Sequence, residues 1–193
     1  MTTASRSLAT ALPMGALRER LALPSYTTTR DVTRVGGPLS LERDITEQML
    51  FGSGRPVIVV PPAAGASVVF ENILIAWDGG AQAARAIGDA MPFLGRASSI
   101  DVVCVSGDPN PSKRIEGAEI AEHLSRHFRS VKTTTLPPID GELGAAIRTH
   151  ATLTRADLIV MGGYAHSRLY QIVLGGVTKD MLQSAAIPVF LSY

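Results

Sequence analysis

The stretch "NILIAWDGG", residues 72–80, decides the fold. Asn72 to Trp77 is a short apolar run without polar alternation, the profile of a parallel strand buried on both faces. It stops at Asp78, Gly79 and Gly80, which favour a turn. "AQAARAIGDAMPFL", residues 81–94, follows with helix formers, and Ala84, Ile87 and Met91 share one helical face. A buried strand, a glycine turn and a helix make the first half of a βαβ unit.

The same rhythm continues downstream. "SIDVVCVSG" (99–107) is a second buried strand, "KRIEGAEIAEHLSRHF" (113–128) an amphipathic helix with Ile120, Leu124 and His127 or Phe128 at helical spacing, and "SVKTTTL" (130–136) a Thr-rich third strand. "DGELGAAIRTHATLTR" (140–155) opens on an Asp suited to capping a helix. "ADLIVMGG" (156–163) is the fourth strand, "SRLYQIVLGGVTKDMLQSA" (167–185) a helix with a glycine-bearing start or break, and "IPVFLS" (187–192) the fifth strand. Five strands alternating with four helices predict an α/β fold with an open, five-stranded, parallel, doubly wound sheet. The length excludes a (β/α)8 barrel. The pattern leaves the strand order open; the order expected is 3-2-1-4-5, which sets the first and fourth strands side by side at the switch point where such sheets bind ligands.

Upstream of residue 71 the chain reads differently. Residues 1–40 have no sustained period, and hold at most a short helix around Gly15 to Leu23 and a weak strand around Tyr26 to Val35. Residues 41–62 contain a helix, "LERDITEQMLFG", and a strand, "RPVIVV"; residues 63–70 are a linker rich in small residues. Residues 71–193 are the complete domain. "ITEQMLFGSGRPVIVVP" also resembles the chain's own ending, "VTKDMLQSAAIPVFLSY". With Thr46 over Thr178, Met49 falls on Met181, Leu50 on Leu182, Pro56 on Pro188 and Val57 on Val189. The upstream copy therefore reads as the tail of another such domain, truncated in front.

Composition narrows the function. Apolar residues make up 46%, charged residues 18% and aromatics 5%, with a formal net charge of +1. That supports a sizeable core and gives no basic, aromatic surface for nucleic acid. A single cysteine, Cys104, excludes an internal disulfide, and no apolar stretch reaches membrane-span length. A soluble cytoplasmic protein is expected. His123 and His127 are four apart on one helical face, a metal-compatible spacing without a visible third ligand; His150 has no evident partner. No Ser-His-Asp grouping or paired carboxylates can be read from local spacing, so no catalytic residue is assigned.

Two strand ends carry site-like residues: "AWDGG" after the first and "MGGYAHSRLYQIVLGG" after the fourth. Asp78 can accept hydrogen bonds from a ribose hydroxyl or a purine amine, or can be just a helix cap. Glycines at a strand-to-helix turn let backbone N–H groups approach a phosphate, or serve only the tight turn. Together these blocks resemble the universal stress protein family, over residues 71–193 in full and over residues 41–61 as the end of a second copy, as in tandem members.

The resemblance implies an adenine-nucleotide-hydrolase-like fold and a homodimer whose last strands pair, here Pro188 to Ser192, with Pro56 to Val60 as a second candidate. It also implies ATP, with magnesium accompanying it, bound through a signature of G-x-x-G, nine residues, then G followed by Ser or Thr. Gly162 matches the first glycine and Gly175 the third. Ala165 stands where the second glycine belongs, and Gly176 where the hydroxyl residue belongs. Asp78 matches the aspartate that faces the nucleoside, and Val105 lies near the position that flanks adenine. His166, Ser167 and Arg168 offer donors to an anion. The two departures predict weakened ATP binding. The alternative is an assembly module with a degenerate pocket; nucleotide hydrolysis ranks last, since no Walker-type Lys and no base are evident.

Overall fold

The computed structural model describes residues 32–34, 49–52, 54–61, 70–105, 116–163 and 177–193. Seven strands form one sheet: β1 (Val32–Arg34), β2 (Val57–Val60), β3 (Asn72–Ala76), β4 (Ser99–Val105), β5 (Val131–Leu136), β6 (Leu158–Gly162) and β7 (Val189–Ser192). Four helices are described: α1 (Ala81–Leu94), α2 (Glu116–Ser125), α3 (Leu143–Leu153) and α4 (Val177–Ser184). Residues 49–52 are also helical.

The sheet order is β1-β2-β7-β6-β3-β4-β5. The five strands predicted for residues 71–193 are β3 to β7, and their spatial order β5-β4-β3-β6-β7 is the expected 3-2-1-4-5, parallel throughout. The sheet is larger than five strands because β2 pairs antiparallel with β7, and β1 pairs parallel with β2. β1 falls inside the weak strand expected around Tyr26 to Val35. The short helix expected at residues 15–23 lies outside the described residues.

The buried apolar residues of β2, β3, β4, β6 and β7 face one of two layers. Ile73, Ile75, Ile100, Val102, Leu158, Val160 and Phe190 pack against α1 and α2. Leu74, Val103, Ile159, Met161, Val189 and Leu191 pack against α3, α4 and Leu50. Continuous apolar runs therefore arise because both faces are covered. An aromatic series, Phe70 to Phe93 to Phe190, joins the start of β3, α1 and β7 in edge-to-face contacts with centroids 5.5 and 5.7 Å apart. Asp157 fixes the entry to β3 by accepting from the backbone N–H groups of Glu71 (3.1 Å) and Asn72 (2.9 Å).

Two local expectations are corrected. The buried face of α1 is Ala83, Ala86, Ile87, Ala90, Phe93 and Leu94; Ala84 is exposed and Met91 is at the surface. Small residues turn inward because α1 lies close against the sheet, so side-chain size, not apolar character alone, sets the face. Asp140 does not cap α3, whose N-cap is Glu142 without a side-chain bond. Asp140 and Gly141 both have positive φ, 51° and 80°, in a tight turn closed by Ile139 and Glu142, whose backbones exchange bonds of 2.7 and 3.3 Å. Asp-Gly at the two central positions is the chemistry that such a turn demands.

Candidate functional site

The site begins at the carboxyl ends of three adjacent strands. Ala76 of β3 is level with Val103 of β4 on one side and Met161 of β6 on the other. Trp77 and Asp78 therefore leave β3 between Val105 and the pair Gly162–Gly163, with no strand between β3 and β6. The backbone N–H of Trp77 donates to the Val103 carbonyl at 2.9 Å, which extends the β3–β4 ladder to the rim of the cleft.

Asp78 is exposed, and its Oδ1 accepts the Gly80 N–H at 2.8 Å. That bond stabilises the turn into α1, in which Gly79 has a positive φ of 77°. Asp78 is thus a turn-former with one oxygen. Its second oxygen makes no hydrogen bond among the described residues. The helix-cap reading of Asp78 is corrected: the N-cap of α1 is Gly80, and no side chain bonds into that cap.

Gly162 is needed for packing. A Cβ there would lie 2.6 Å from the Ala83 nitrogen and 2.8 Å from the Gln82 carbonyl carbon. The first turn of α1 rests on the tip of β6, which is what draws the Asp78 turn over to the fourth strand. Val105 is half-buried opposite Leu136 at the end of β4. The structure therefore brings together Asp78, Val105 and Gly162. Ala165, His166, Ser167, Arg168, Gly175 and Gly176 lie outside the described residues.

Trp77, the single tryptophan, packs its indole against the α1 and α2 layer. Its Nε1–H is buried and has no acceptor among the described residues. An unsatisfied buried donor costs about 1–3 kcal/mol, comparable to the packing that a smaller ring would lose. Trp77→Phe is therefore expected to change stability by less than about 1 kcal/mol, against about 3–5 kcal/mol for an ordinary Trp truncation. Urea denaturation followed by circular dichroism measures it.

Cys104 adjoins the cleft on β4, with the α2 residue Gly117 so close that a Cβ there would meet its Sγ at 2.4 Å. Partial burial pushes its thiol pKa up, which leaves it mostly protonated and unreactive near neutral pH. His123 and His127 stack edge to face at 5.2 Å, and no group of three His, Cys, Asp or Glu able to hold a metal occurs among the described residues.

Sequence reading missed one polar cluster. Asp101, 5% exposed, accepts from Thr134 Oγ1 at 2.8 Å, pairs with Lys132 Nζ at 3.0 Å and bonds His150 Nε2 at 2.8 Å. It ties the end of α3 to the β4–β5 edge, near the amino ends of the strands and away from the cleft. Its one signal was Asp101 itself, a charge inside the apolar run "IDVVCV". Arg148 and Asp180 form a second ion pair, joining α3 to α4.

Known structures repeat this architecture. A universal stress protein from Archaeoglobus fulgidus DSM 4304 is similar over 83% of this chain and 59% of its own, at 18% identity and a TM-score of 0.63. A functionally unknown protein from Pseudomonas aeruginosa PAO1 is similar over 83% and 61%, at 15% identity and a TM-score of 0.55. A universal stress protein in complex with cAMP covers 65% of this chain with 98% of its own, at 15% identity and a TM-score of 0.50. The chain spans about three fifths of the length of the first two. No curated protein sequence matches it. No helix among the described residues is long and apolar enough to cross a membrane. A family model described as Universal stress protein family matches residues 70–192, nearly the whole of the strand and helix series from β3 to β7, and the chain belongs to that family.

Proposed function

We propose that the chain is a stress-type binding module that takes an adenine nucleotide weakly in the cleft at the ends of β3 and β6. The observation that supports this reading is the direct β3–β6 adjacency, with Asp78, Val105 and Gly162 following at neighbouring strand ends. The nucleoside half fits: a carboxylate oxygen for hydroxyl or amine donors, and an apolar wall at Val105 for a base. The phosphate half would rest on residues 164–176, through Ala165, His166, Ser167, Gly175 and Gly176. ATP and cAMP share the adenosine that the first half selects, and a related protein has been crystallised with cAMP. Magnesium would enter with ATP phosphates, held by the ligand more than by the protein.

Trp77 is the natural reporter, being the single tryptophan and the residue before Asp78. Titration with ATP, ADP and cAMP is expected to change its fluorescence and to raise the melting temperature, since a ligand that binds only the folded state stabilises it. Asp78→Ala removes a charge-assisted acceptor worth about 1.5–3 kcal/mol, so affinity is expected to fall by about 10- to 150-fold. Asp78→Asn, which keeps the turn bond to Gly80 but not the charge, separates ligand contact from turn stability. No response to millimolar nucleotide, with or without magnesium, overturns the reading.

A further inference from the structure

The β2–β7 seam has a symmetry that the strand order alone does not convey. Its register pairs Val57 with Leu191, Ile58 with Phe190 and Val59 with Val189. In the sequence repeat, Val57 corresponds to Val189, Ile58 to Phe190 and Val59 to Leu191. Val57 therefore faces the counterpart of Val59, Val59 faces the counterpart of Val57, and Ile58 faces its own counterpart Phe190 at the centre. That is the self-complementary pattern of an isologous interface between two copies.

Three further observations agree. Counterparts lie on the same face of the sheet: Val57 and Val189 in one layer, Ile58 and Phe190 in the other, as a two-fold axis perpendicular to the sheet requires. Met49 and Leu50, from the helix before β2, and their counterparts Met181 and Leu182, from the helix before β7, pack in one layer. β1 is parallel to β2 as β6 is to β7, and Val32 stands opposite Ile58 as Val160 stands opposite Phe190. This unit, β1, the helical residues 49–52 and β2, thus matches β6, α4 and β7 in order and pairing.

We infer that this unit stands in for a second copy of the chain, and that it acts as a built-in cap that keeps the β7 edge from self-association. All four β2 residues are buried, so the seam is part of the core rather than a loose addition. The tether suits pairing within one chain. Val60 and Asn72 lie at the same end of the sheet, three strand spacings apart, or about 14 Å. Residues 61–71 can reach about 35 Å when extended. A tether of this length holds its strand at an effective concentration of the order of millimolar, so a second copy's β7 competes poorly at lower concentrations. The homodimer expected through Pro188 to Ser192 is replaced at this edge by the chain's own Pro56 to Val60. With β2 displaced, two β7 strands would pair about Phe190, Val189 of each opposite Leu191 of the other.

Hydrogen exchange of the β7 peptide, read by mass spectrometry from micromolar to sub-millimolar protein alongside sedimentation, tests this on the 193-residue chain and on Ile58→Pro. In the unaltered chain, β7 protection is expected to be independent of concentration. In Ile58→Pro, which breaks the β2 ladder, protection is expected to fall about tenfold or more when dilute and to recover as dimers form. Should Ile58→Pro fail to fold, Ile58→Ala, which leaves the backbone bonds possible, is expected to show a smaller shift in the same direction. Concentration-dependent β7 protection in the unaltered chain overturns the cap. So does a folded variant that stays a single chain with β7 unprotected at every concentration.

Discussion

Gly162→Ala is expected to lower the melting temperature by about 6–12 °C, the response of a chain this size to a loss of about 3 kcal/mol. The added methyl would meet the Ala83 nitrogen at 2.6 Å and the Gln82 carbonyl carbon at 2.8 Å. Both are backbone atoms, which cannot rotate aside as a side chain can. The first turn of α1 must instead lift from β6, and its departure uncovers the small residues Ala83, Ala86 and Ala90 that let it sit so close. Since the same turn carries Asp78, the nucleotide response is expected to weaken along with stability. Gly88→Ala supplies the control of opposite sign. Gly88 lies within α1, and nothing stands within 4 Å of its would-be Cβ, so alanine there is expected to stabilise by about 0.5–1 kcal/mol. Paired thermal melts distinguish a steric effect at β6 from a general response of the helix.

What the sequence revealed, and what it hid, follows from the range of the interactions involved. β3 to β7 were legible because each is an apolar run bounded by turn residues, and the order 3-2-1-4-5 held among them. The inward face of α1 was misread because the pattern registers apolar character and not closeness; Ala84 and Ala83 look alike until β6 is beneath them. The repeat at residues 46–57 was visible, but whether its strand paired within the chain or between chains depends on tether length and on an antiparallel register, neither of which is written locally. Asp101 and His150 are 49 residues apart and meet only because β4 and α3 are layered. His150 had no evident partner for that reason. In the cleft, Asp78 was found through its neighbours in sequence, while the packing role of Gly162 needed α1 in place. The counterpart of Gly162 in the upstream unit is Arg34, opposite Val60 as Gly162 is opposite Ser192. Glycine is demanded at 162 because the first turn of α1 bears on β6 there.

The combined change Ala165→Gly with Gly176→Ser is expected to tighten adenine-nucleotide binding by about one to three orders of magnitude. On the proposed reading the two positions act on the phosphate half of the ligand, and for different reasons. At 165 a Cβ limits the backbone dihedrals that aim N–H groups at an anion, so glycine widens the accessible turn at an entropic cost of about 0.5–1 kcal/mol in the folded state. At 176 a hydroxyl adds one donor to a charged acceptor, typically about 1.5–3 kcal/mol, which converts to roughly 10- to 150-fold in affinity. Gly176→Ser alone should therefore yield most of the gain for ATP and little for adenosine, which has no phosphate to meet. Calorimetric titration of the parent, the two single variants and the double variant separates these contributions. A gain for ATP alone assigns the weakness to the phosphate turn and leaves the Asp78 side intact. An equal gain for adenosine would mean that the substitutions reshaped the whole cleft, and no gain for either would mean that residues 164–176 do not meet the ligand. The Asp78→Ala variant then discriminates further, since its loss should be the same for ATP and adenosine if that carboxylate touches only the nucleoside.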